Sequence, residues 1–126
     1  MTEKQCVLAV DDNSISLATI EQELKDSYEV IPINSGTRAL QYLKREKPDL
    51  ILLDIQMAHK DGIETLTEIR AMDGCQDIPV VMLTSRRDRE TILASSRLGI
   101  TDYVVKPFKQ QDLLNRIDRI LKQPQG

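Results

Sequence analysis

The sequence predicts one α/β domain in which helices cover both faces of a parallel five-stranded sheet. Two short runs, Cys6–Val10 and Leu50–Leu53, contain only apolar residues. Strands without polar alternation are typical of a parallel sheet that is buried on both faces. Strand-like and helix-like segments alternate five times along the 126 residues, which is the pattern of repeated βαβ units. A chain of this length is expected to form a single domain.

The first half of the chain predicts three strands and two helices. The strands are predicted at Cys6–Val10, Tyr28–Ile33 and Leu50–Asp54. Pro32 has no N–H to donate to a ladder, so the second strand is expected at an edge of the sheet. Asn13 or Ser14 can cap the first helix, and the second helix is predicted over Thr37–Lys47, where Pro48 ends it.

The second half continues the alternation after a polar loop. Its elements are predicted as a loop over Ile55–Gly62, a third helix over Ile63–Met72, a fourth strand over Pro79–Leu83, a fourth helix over Arg86–Leu98, a fifth strand over Tyr103–Val105 and a fifth helix over Gln110–Leu121. Gly99 is expected to end the fourth helix. Right-handed crossovers and the edge position of the second strand favour the flavodoxin-like strand order 2-1-3-4-5. The domain is expected to cover residues 1–122, and residues 123–126 are expected to be a polar tail or a linker stub.

Composition and charge argue against several classes of function. The formal charge of −3 gives no general attraction to nucleic acid or to an anionic membrane, and the absence of Trp disfavours binding by base stacking. No apolar run approaches the roughly 18–20 residues that cross a bilayer. The two cysteines, Cys6 and Cys75, form no metal-binding or redox pattern. We therefore expect a protein of the reducing cytoplasm.

Polar residues occur where four of the five predicted strands end. Asp11 and Asp12 follow the first strand, Asp54 ends the third, Thr84 follows the fourth and Lys106 follows the fifth. Because the carboxyl ends of parallel strands meet at one edge of a sheet, these side chains are expected to share one crevice. Each residue has a simpler explanation alone, as a helix cap or a loop residue. A shared crevice is the better explanation, because the simpler ones would all have to hold at once, at matching strand ends.

This combination of side chains favours a metal-assisted phosphoryl site. Each pair of carboxylates would repel by about 4 kcal/mol at a separation of about 4 Å and an effective dielectric constant near 20, so a cation or protons are needed. Oxygen ligands without a nearby Cys favour Mg²⁺ first and Mn²⁺ second. The ammonium group of Lys106 and the hydroxyl of Thr84 suit the remaining oxygens of a phosphoryl group. Asp54 is then the candidate nucleophile.

At these residues the chain resembles the receiver domain of two-component response regulators. The resemblance covers about residues 5–122 and rests on these motifs: the Asp11-Asp12 pair, Asp54 in Leu-Leu-Asp-Ile-Gln-Met, Asp61-Gly62, Thr84-Ser85 and the run Asp102-Tyr-Val-Val-Lys-Pro-Phe108. It implies that Asp54 accepts a phosphoryl group from a histidine kinase or a phosphotransfer protein. It also implies a Mg²⁺ ion held by Asp11, Asp12, Asp54 and the backbone carbonyl of Gln56.

The same resemblance implies how the signal is used. Lys106 would contact the phosphoryl group, and the Lys106-Pro107 peptide would be cis, which is plausible only before proline. Thr84 and Tyr103 would be a switch pair that relays phosphorylation to the face built from the fourth helix, the fifth strand and the fifth helix. That face would bind an output partner or a second copy of the chain.

Two further positions bear on the lifetime of the phosphorylated state. Gln56 and Arg86 stand two residues beyond the nucleophile and two beyond the switch threonine, and by resemblance they line the approach of the hydrolytic water. A cationic contact of Arg86 with the phosphoryl group is expected to slow hydrolysis. The chain departs from the family at Ala58, where a proline is usual, so that loop is expected to be less stiff.

Three other functions remain open from the residues alone. Haloacid-type phosphatases also use an aspartyl nucleophile, but they place it after the first strand and need a cap domain. A flavin carrier of this fold would need a phosphate-binding loop after the first strand, where Asp11-Asp12 has the wrong charge. A receiver-like module that is never phosphorylated would not need the full acidic set. No segment after the fifth helix could bind DNA, so we expect either a stand-alone receiver or one excised from a longer regulator.

Overall fold

The computed structural model shows one five-stranded parallel sheet in the order β2-β1-β3-β4-β5. The structure describes residues 4–57, 61–84, 93, 96–109 and 111–122. The strands are β1 (Cys6–Val10), β2 (Glu29–Ile33), β3 (Leu50–Asp54), β4 (Val80–Thr84) and β5 (Asp102–Val105). The predicted fold class and strand order are therefore confirmed, and so is the edge position of the strand that contains Pro32.

Four helices lie within the described residues. They are α1 (Ser14–Leu24), α2 (Gly36–Leu43), α3 (Gly62–Ala71) and α4 (Asp112–Leu121), of which α4 is the fifth helix of the sequence prediction. Most of the fourth predicted helix, Arg86–Leu98, lies outside the described residues. Of its described members, Leu93, Ser96 and Arg97 are helical and Leu98 is in a turn. Gly99 follows with a positive φ of 79°, which is the conformation expected of a glycine that ends a helix.

Helix boundaries differ from the prediction where backbone geometry intervenes. The second helix ends at Leu43 rather than at Lys47, because the chain tightens and the amide of Arg45 donates to the carbonyl of Tyr42, three residues back, at 3.0 Å. The last helix begins at Asp112 rather than at Gln110. Gln111 adopts a left-handed conformation with φ 82°, which is incompatible with a right-handed helix.

The sheet is buried between two helical layers. Every residue of β3 and β4 is buried, as expected for central parallel strands. One face packs against apolar side chains of α2 and α3, and the other packs against those of α1 and α4. Successive β3 residues alternate between these layers, with Ile51 and Leu53 on the first face and Leu50 and Leu52 on the second. Among the described residues, no helix has the length and apolar character required to cross a membrane.

Candidate functional site

Strand register brings two of the predicted aspartates side by side. Val10 of β1 is paired with Leu53 of β3. Asp11 follows Val10 and Asp54 follows Leu53, so the two aspartates lie next to each other at the carboxyl edge of the sheet. Asp12 follows immediately. The side chain of Asn13 then caps α1 by accepting from the amides of Ile15 and Ser16, and this cap turns the chain away from the sheet directly after the two aspartates.

The three carboxylates form a compact cluster. Asp11, Asp12 and Asp54 each offer an oxygen, and these oxygens all lie within 4.8 Å of one another. Asp11 is fully buried, Asp54 is 6% exposed and Asp12 is exposed to solvent. The cluster is thus open on the Asp12 side and closed by the protein around the other two carboxylates.

Lys106 places its ammonium group between the two buried carboxylates. Its Nζ donates to Oδ2 of Asp11 at 2.6 Å and lies 3.5 Å from Oδ2 of Asp54. The Oγ of Ser16 on α1 is 3.4 Å from the same Nζ. The Lys106 amide donates to the carbonyl of Thr84 at 2.6 Å, and the following peptide with Pro107 is cis, as predicted.

The environment of Asp54 opposes its ionisation. Burial is the main cause and raises the pKa of Asp54 to about 6. Lys106 lowers this pKa through its positive charge, whereas Asp11 raises it through its negative charge. The amide of Gln56 donates to Oδ1 of Asp54 at 3.2 Å and favours the charged form slightly. Burial of the Asp54 carboxyl group therefore outweighs the stabilisation that the Lys106 ammonium gives to its charged form.

This donor set fits a hard divalent cation. Three carboxylates supply only oxygen, and Mg²⁺ prefers one or two carboxylates together with several retained waters. The exposure of Asp12 leaves room for such waters. A divalent cation would also offset the desolvation of the Asp54 carboxylate and its repulsion by Asp11. An acidic cluster suited to Mg²⁺ is thus present where the strand-end argument predicted it.

The remaining predicted site residues are placed less closely around the carboxylates. Thr84 is fully buried at the carboxyl end of β4, beside the backbone of Lys106. Tyr103 on β5 is 39% exposed, so its ring reaches the surface beyond the sheet. Gln56 is exposed and contacts Asp54 through its backbone amide. Arg86 and Ala58 lie outside the described residues.

The structure shows contacts of two further residues at the site that the sequence did not predict. Ser16 contacts the Lys106 ammonium. Its position in the first helical turn after Asp11-Asp12 was the only sequence signal for this contact. Gly62, predicted as the last residue of the Ile55–Gly62 loop and named in the Asp61-Gly62 motif, begins α3 and packs directly against the backbone of Asp54 and Ile55. The Asp61-Gly62 motif marked this glycine in the sequence, but it did not indicate the contact with Asp54.

Known sequences similar to this chain belong to response regulators. The family model described as the response regulator receiver domain matches residues 7–118. The transcriptional regulatory protein PrrA of Mycobacterium tuberculosis is 39% identical over 117 residues, which are 92% of this chain and 49% of that protein. The DNA-binding response regulator MtrA of the same species is 32% identical over 117 residues, which are 92% of this chain and 50% of that protein. The chain thus spans about half the length of these curated relatives.

Two solved structures have the same fold as this chain. The chemotaxis protein CheY4 of Vibrio cholerae superposes with a TM-score of 0.89 at 30% identity, covering 94% of this chain and 99% of that one. The receiver domain of a sensor histidine kinase from Pseudomonas aeruginosa superposes with a TM-score of 0.87 at 29% identity, covering 95% and 99%. That structure has a magnesium ion coordinated in its active-site cleft.

Proposed function

Because the chain belongs to the response regulator receiver domain family, we propose that it accepts a phosphoryl group on Asp54 and transmits the change to an output partner. One observation carries the proposal. The carboxylates of Asp11, Asp12 and Asp54 cluster within 4.8 Å, and the Lys106 ammonium lies between two of them. The donor would be a histidine kinase or a phosphotransfer protein, as expected for this family.

Asp54 has the properties required of the acceptor. With a pKa of about 6, its carboxyl group is mostly ionised near pH 7 and can act as a nucleophile. A carboxylate oxygen would bond to phosphorus while the phosphorus–nitrogen bond of a donor phosphohistidine breaks, and the leaving imidazole nitrogen would take a proton from solvent. Lys106, at 3.5 Å from Oδ2, would then donate to an oxygen of the transferred group.

Asp11, Asp12, Asp54 and the backbone carbonyl of Gln56 would hold Mg²⁺, with Mn²⁺ as a second choice. When bound, the ion would supply positive charge to the phosphoryl oxygens. The residues of the chain supply the orientation. Asp11 is buried and is fixed by Lys106 at 2.6 Å and by the amide of Asn13 at 2.9 Å, so its carboxylate is held in place before any ligand arrives.

Thr84 and Tyr103 would convert phosphorylation into a change of surface. The Thr84 hydroxyl would donate to a phosphoryl oxygen, and its movement would make space into which the Tyr103 ring turns. The responding face would comprise β5, α4 and the predicted helix 86–98. It would bind an output domain, an output protein or a second copy of the chain, whereas direct binding of nucleic acid or membrane by this chain is not expected.

Three further properties complete the proposal. Gln56 and Arg86 would tune the lifetime of the phosphoryl group, with Arg86 slowing hydrolysis. Residues 1–122 would form the receiver domain, followed by a tail or linker over residues 123–126. The domain would act in the cytoplasm as a signalling phosphoacceptor that catalyses only its own phosphotransfer and dephosphorylation, rather than as an enzyme with an external substrate.

The test is phosphorylation with a small acyl phosphate, such as acetyl phosphate, and Mg²⁺. We expect one phosphoryl group per wild-type chain by intact mass, located on Asp54 by peptide mapping, and none on Asp54→Asn. Asp26→Asn, which alters an exposed carboxylate in the turn after α1, should be phosphorylated at the wild-type rate. A phosphoryl group on another residue of the wild-type chain would refute the assignment, and turnover of an external phosphate ester would favour a phosphatase instead.

A further inference from the structure

Gly62, the first residue of α3, is in closer contact with the Asp54 backbone than any other residue type allows. A Cβ atom added to Gly62 would lie 2.3 Å from the carbonyl oxygen of Asp54 and 2.7 Å from Cα of Ile55. Both neighbours are backbone atoms, so no change of side-chain rotamer could relieve the contact. The 2.3 Å separation would have to grow by about 0.7 Å to reach 3.0 Å, below which real Cβ contacts are essentially absent.

This glycine is required for space and not for an unusual backbone conformation. The described residues with positive φ are Gly74, Gly99 and Gln111, and Gly62 instead has the dihedral angles of the helix that it begins. Alanine is intrinsically a better helix former than glycine. Any harm done by an alanine at position 62 would therefore come from its contact with Asp54 and Ile55.

The backbone of Ile55, the residue that follows Asp54, is held through both its amide and its carbonyl. The amide of Ile55 donates to the carbonyl of Leu83 on β4 at 2.9 Å, and the carbonyl of Ile55 accepts from the amide of Gly62 at 2.8 Å. The first turn of α3 is itself fixed, because Asp61 caps it through the amide of Glu64 at 2.9 Å. The backbone of Asp54 is thus clamped between β4 and the start of α3.

We propose that Gly62 is a positioning residue, which lets α3 pack directly on the Asp54–Ile55 peptide and so sets where the Asp54 carboxylate lies relative to Lys106 and Asp11. This inference rests on the proposed role of Asp54 as phosphoacceptor. A displacement of several tenths of an ångström would change the 3.5 Å and 3.2 Å contacts that Asp54 makes with Lys106 and with the Gln56 amide. Misplacement of a reacting group by about 1 Å costs roughly a hundredfold in rate.

The test compares Gly62→Ala with Gly99→Ala. Gly99 also needs to be glycine, because its φ is 79°, but an added Cβ there meets nothing within 4 Å. Both variants are checked for folding by circular dichroism, and phosphorylation by acetyl phosphate with saturating Mg²⁺ is measured per folded molecule. We expect the rate at Asp54 to fall at least tenfold in Gly62→Ala and to stay within twofold in Gly99→Ala. Amide chemical shifts of Ile55, Gln56 and Lys106 should change only in Gly62→Ala.

The outcomes separate this inference from the proposed function. If the wild type is not phosphorylated on Asp54, the proposed function fails. If it is phosphorylated and Gly62→Ala reacts within twofold of it, only the positioning role is refuted. If Gly62→Ala does not fold, Asp61→Ala replaces it, since loss of the cap loosens the same turn without adding an atom. A wild-type rate in folded Asp61→Ala would then overturn the inference, and a fall of at least twofold would support it.

Discussion

At the scale of single residues, the ionisation of Asp54 links the site to stability. Its pKa is raised to about 6, mainly by burial, whereas an aspartate in an unfolded chain titrates near 3.9. A carboxyl group whose pKa is raised by folding stabilises the folded state below its unfolded pKa. That stabilisation is lost as the pH rises through the folded value. The acceptor carboxylate therefore lowers the stability of the ion-free protein near neutral pH.

This predicts a pH-dependent gain in stability for Asp54→Asn. In the presence of a chelator, the variant should exceed the wild type in free energy of unfolding by about 2 to 3 kcal/mol at pH 7. The difference should shrink between pH 6 and pH 4 as the wild-type carboxyl group becomes protonated. Urea denaturation at a series of pH values measures it, with Asp26→Asn as the exposed control. A difference that is independent of pH would show that folding does not raise the pKa of Asp54.

At the scale of secondary-structure elements, α3 is anchored at both ends. Its first residue packs on the Asp54–Ile55 peptide, and near its last turn Arg70 donates hydrogen bonds to four backbone carbonyls. These acceptors are Cys75 and Ile78 at 2.9 Å, Gly99 at 2.8 Å and Leu98 at 3.2 Å. Burial lowers the pKa of Arg70, but a guanidinium group remains charged in proteins. Arg70 thus joins the α3–β4 connection to the segment that precedes β5.

Removal of this guanidinium should be costly. Arg70→Ala removes the guanidinium donor from four carbonyls, and we expect a loss of about 2 to 4 kcal/mol in the free energy of unfolding. Arg70→Lys should recover only part of this loss, because an ammonium group cannot reproduce the planar fork. Arg119→Ala, on the exposed side of α4, should stay within about 0.5 kcal/mol. Equal stability of Arg70→Ala and Arg119→Ala would contradict the anchoring role.

The sequence predicted elements well where a local signal decides them. β1 and β3 have the predicted bounds, Cys6–Val10 and Leu50–Asp54, because an aspartate follows each apolar run, and Asn13 caps α1 as expected. The roles of Arg70 and Gly62 were not predictable in this way. The acceptors of Arg70 include carbonyls 28 and 29 residues away, and the constraint on Gly62 comes from the backbone of another element. The left-handed Gln111 that shortens the last helix also has no residue-type signal.

At the scale of the whole molecule, the proposed relay must pass from the carboxyl edge of the sheet to the face that includes β5 and α4. Thr84 is buried, whereas Tyr103 on the neighbouring strand is 39% exposed. Thr84→Ala keeps the Asp54 carboxylate and should still accept phosphate there. Its chemical-shift changes on β5 and α4 after phosphorylation should be smaller than those of the wild type, because the hydroxyl that senses the phosphoryl group is missing.

Two-dimensional amide spectra before and after treatment with acetyl phosphate and Mg²⁺ measure this effect. The control is Thr101→Ala, whose side chain is exposed just before β5 and whose response should match that of the wild type. Identical responses in Thr84→Ala and the wild type would refute the relay through Thr84.

The edge strand β2 has a consequence for self-association. The amide of Glu29 and the carbonyl of Ile33 both bond toward β1, so by the alternation of a strand Val30 and Pro32 direct their backbone groups to the free edge. Pro32 thus costs the sheet no hydrogen bond. Of the two positions of β2 that face the free edge, only Val30 keeps an N–H that could donate to a strand of another molecule. An incomplete row of donors disfavours the addition of a strand from another molecule. The same proline that marks the border of the sheet also protects the protein from edge-to-edge aggregation.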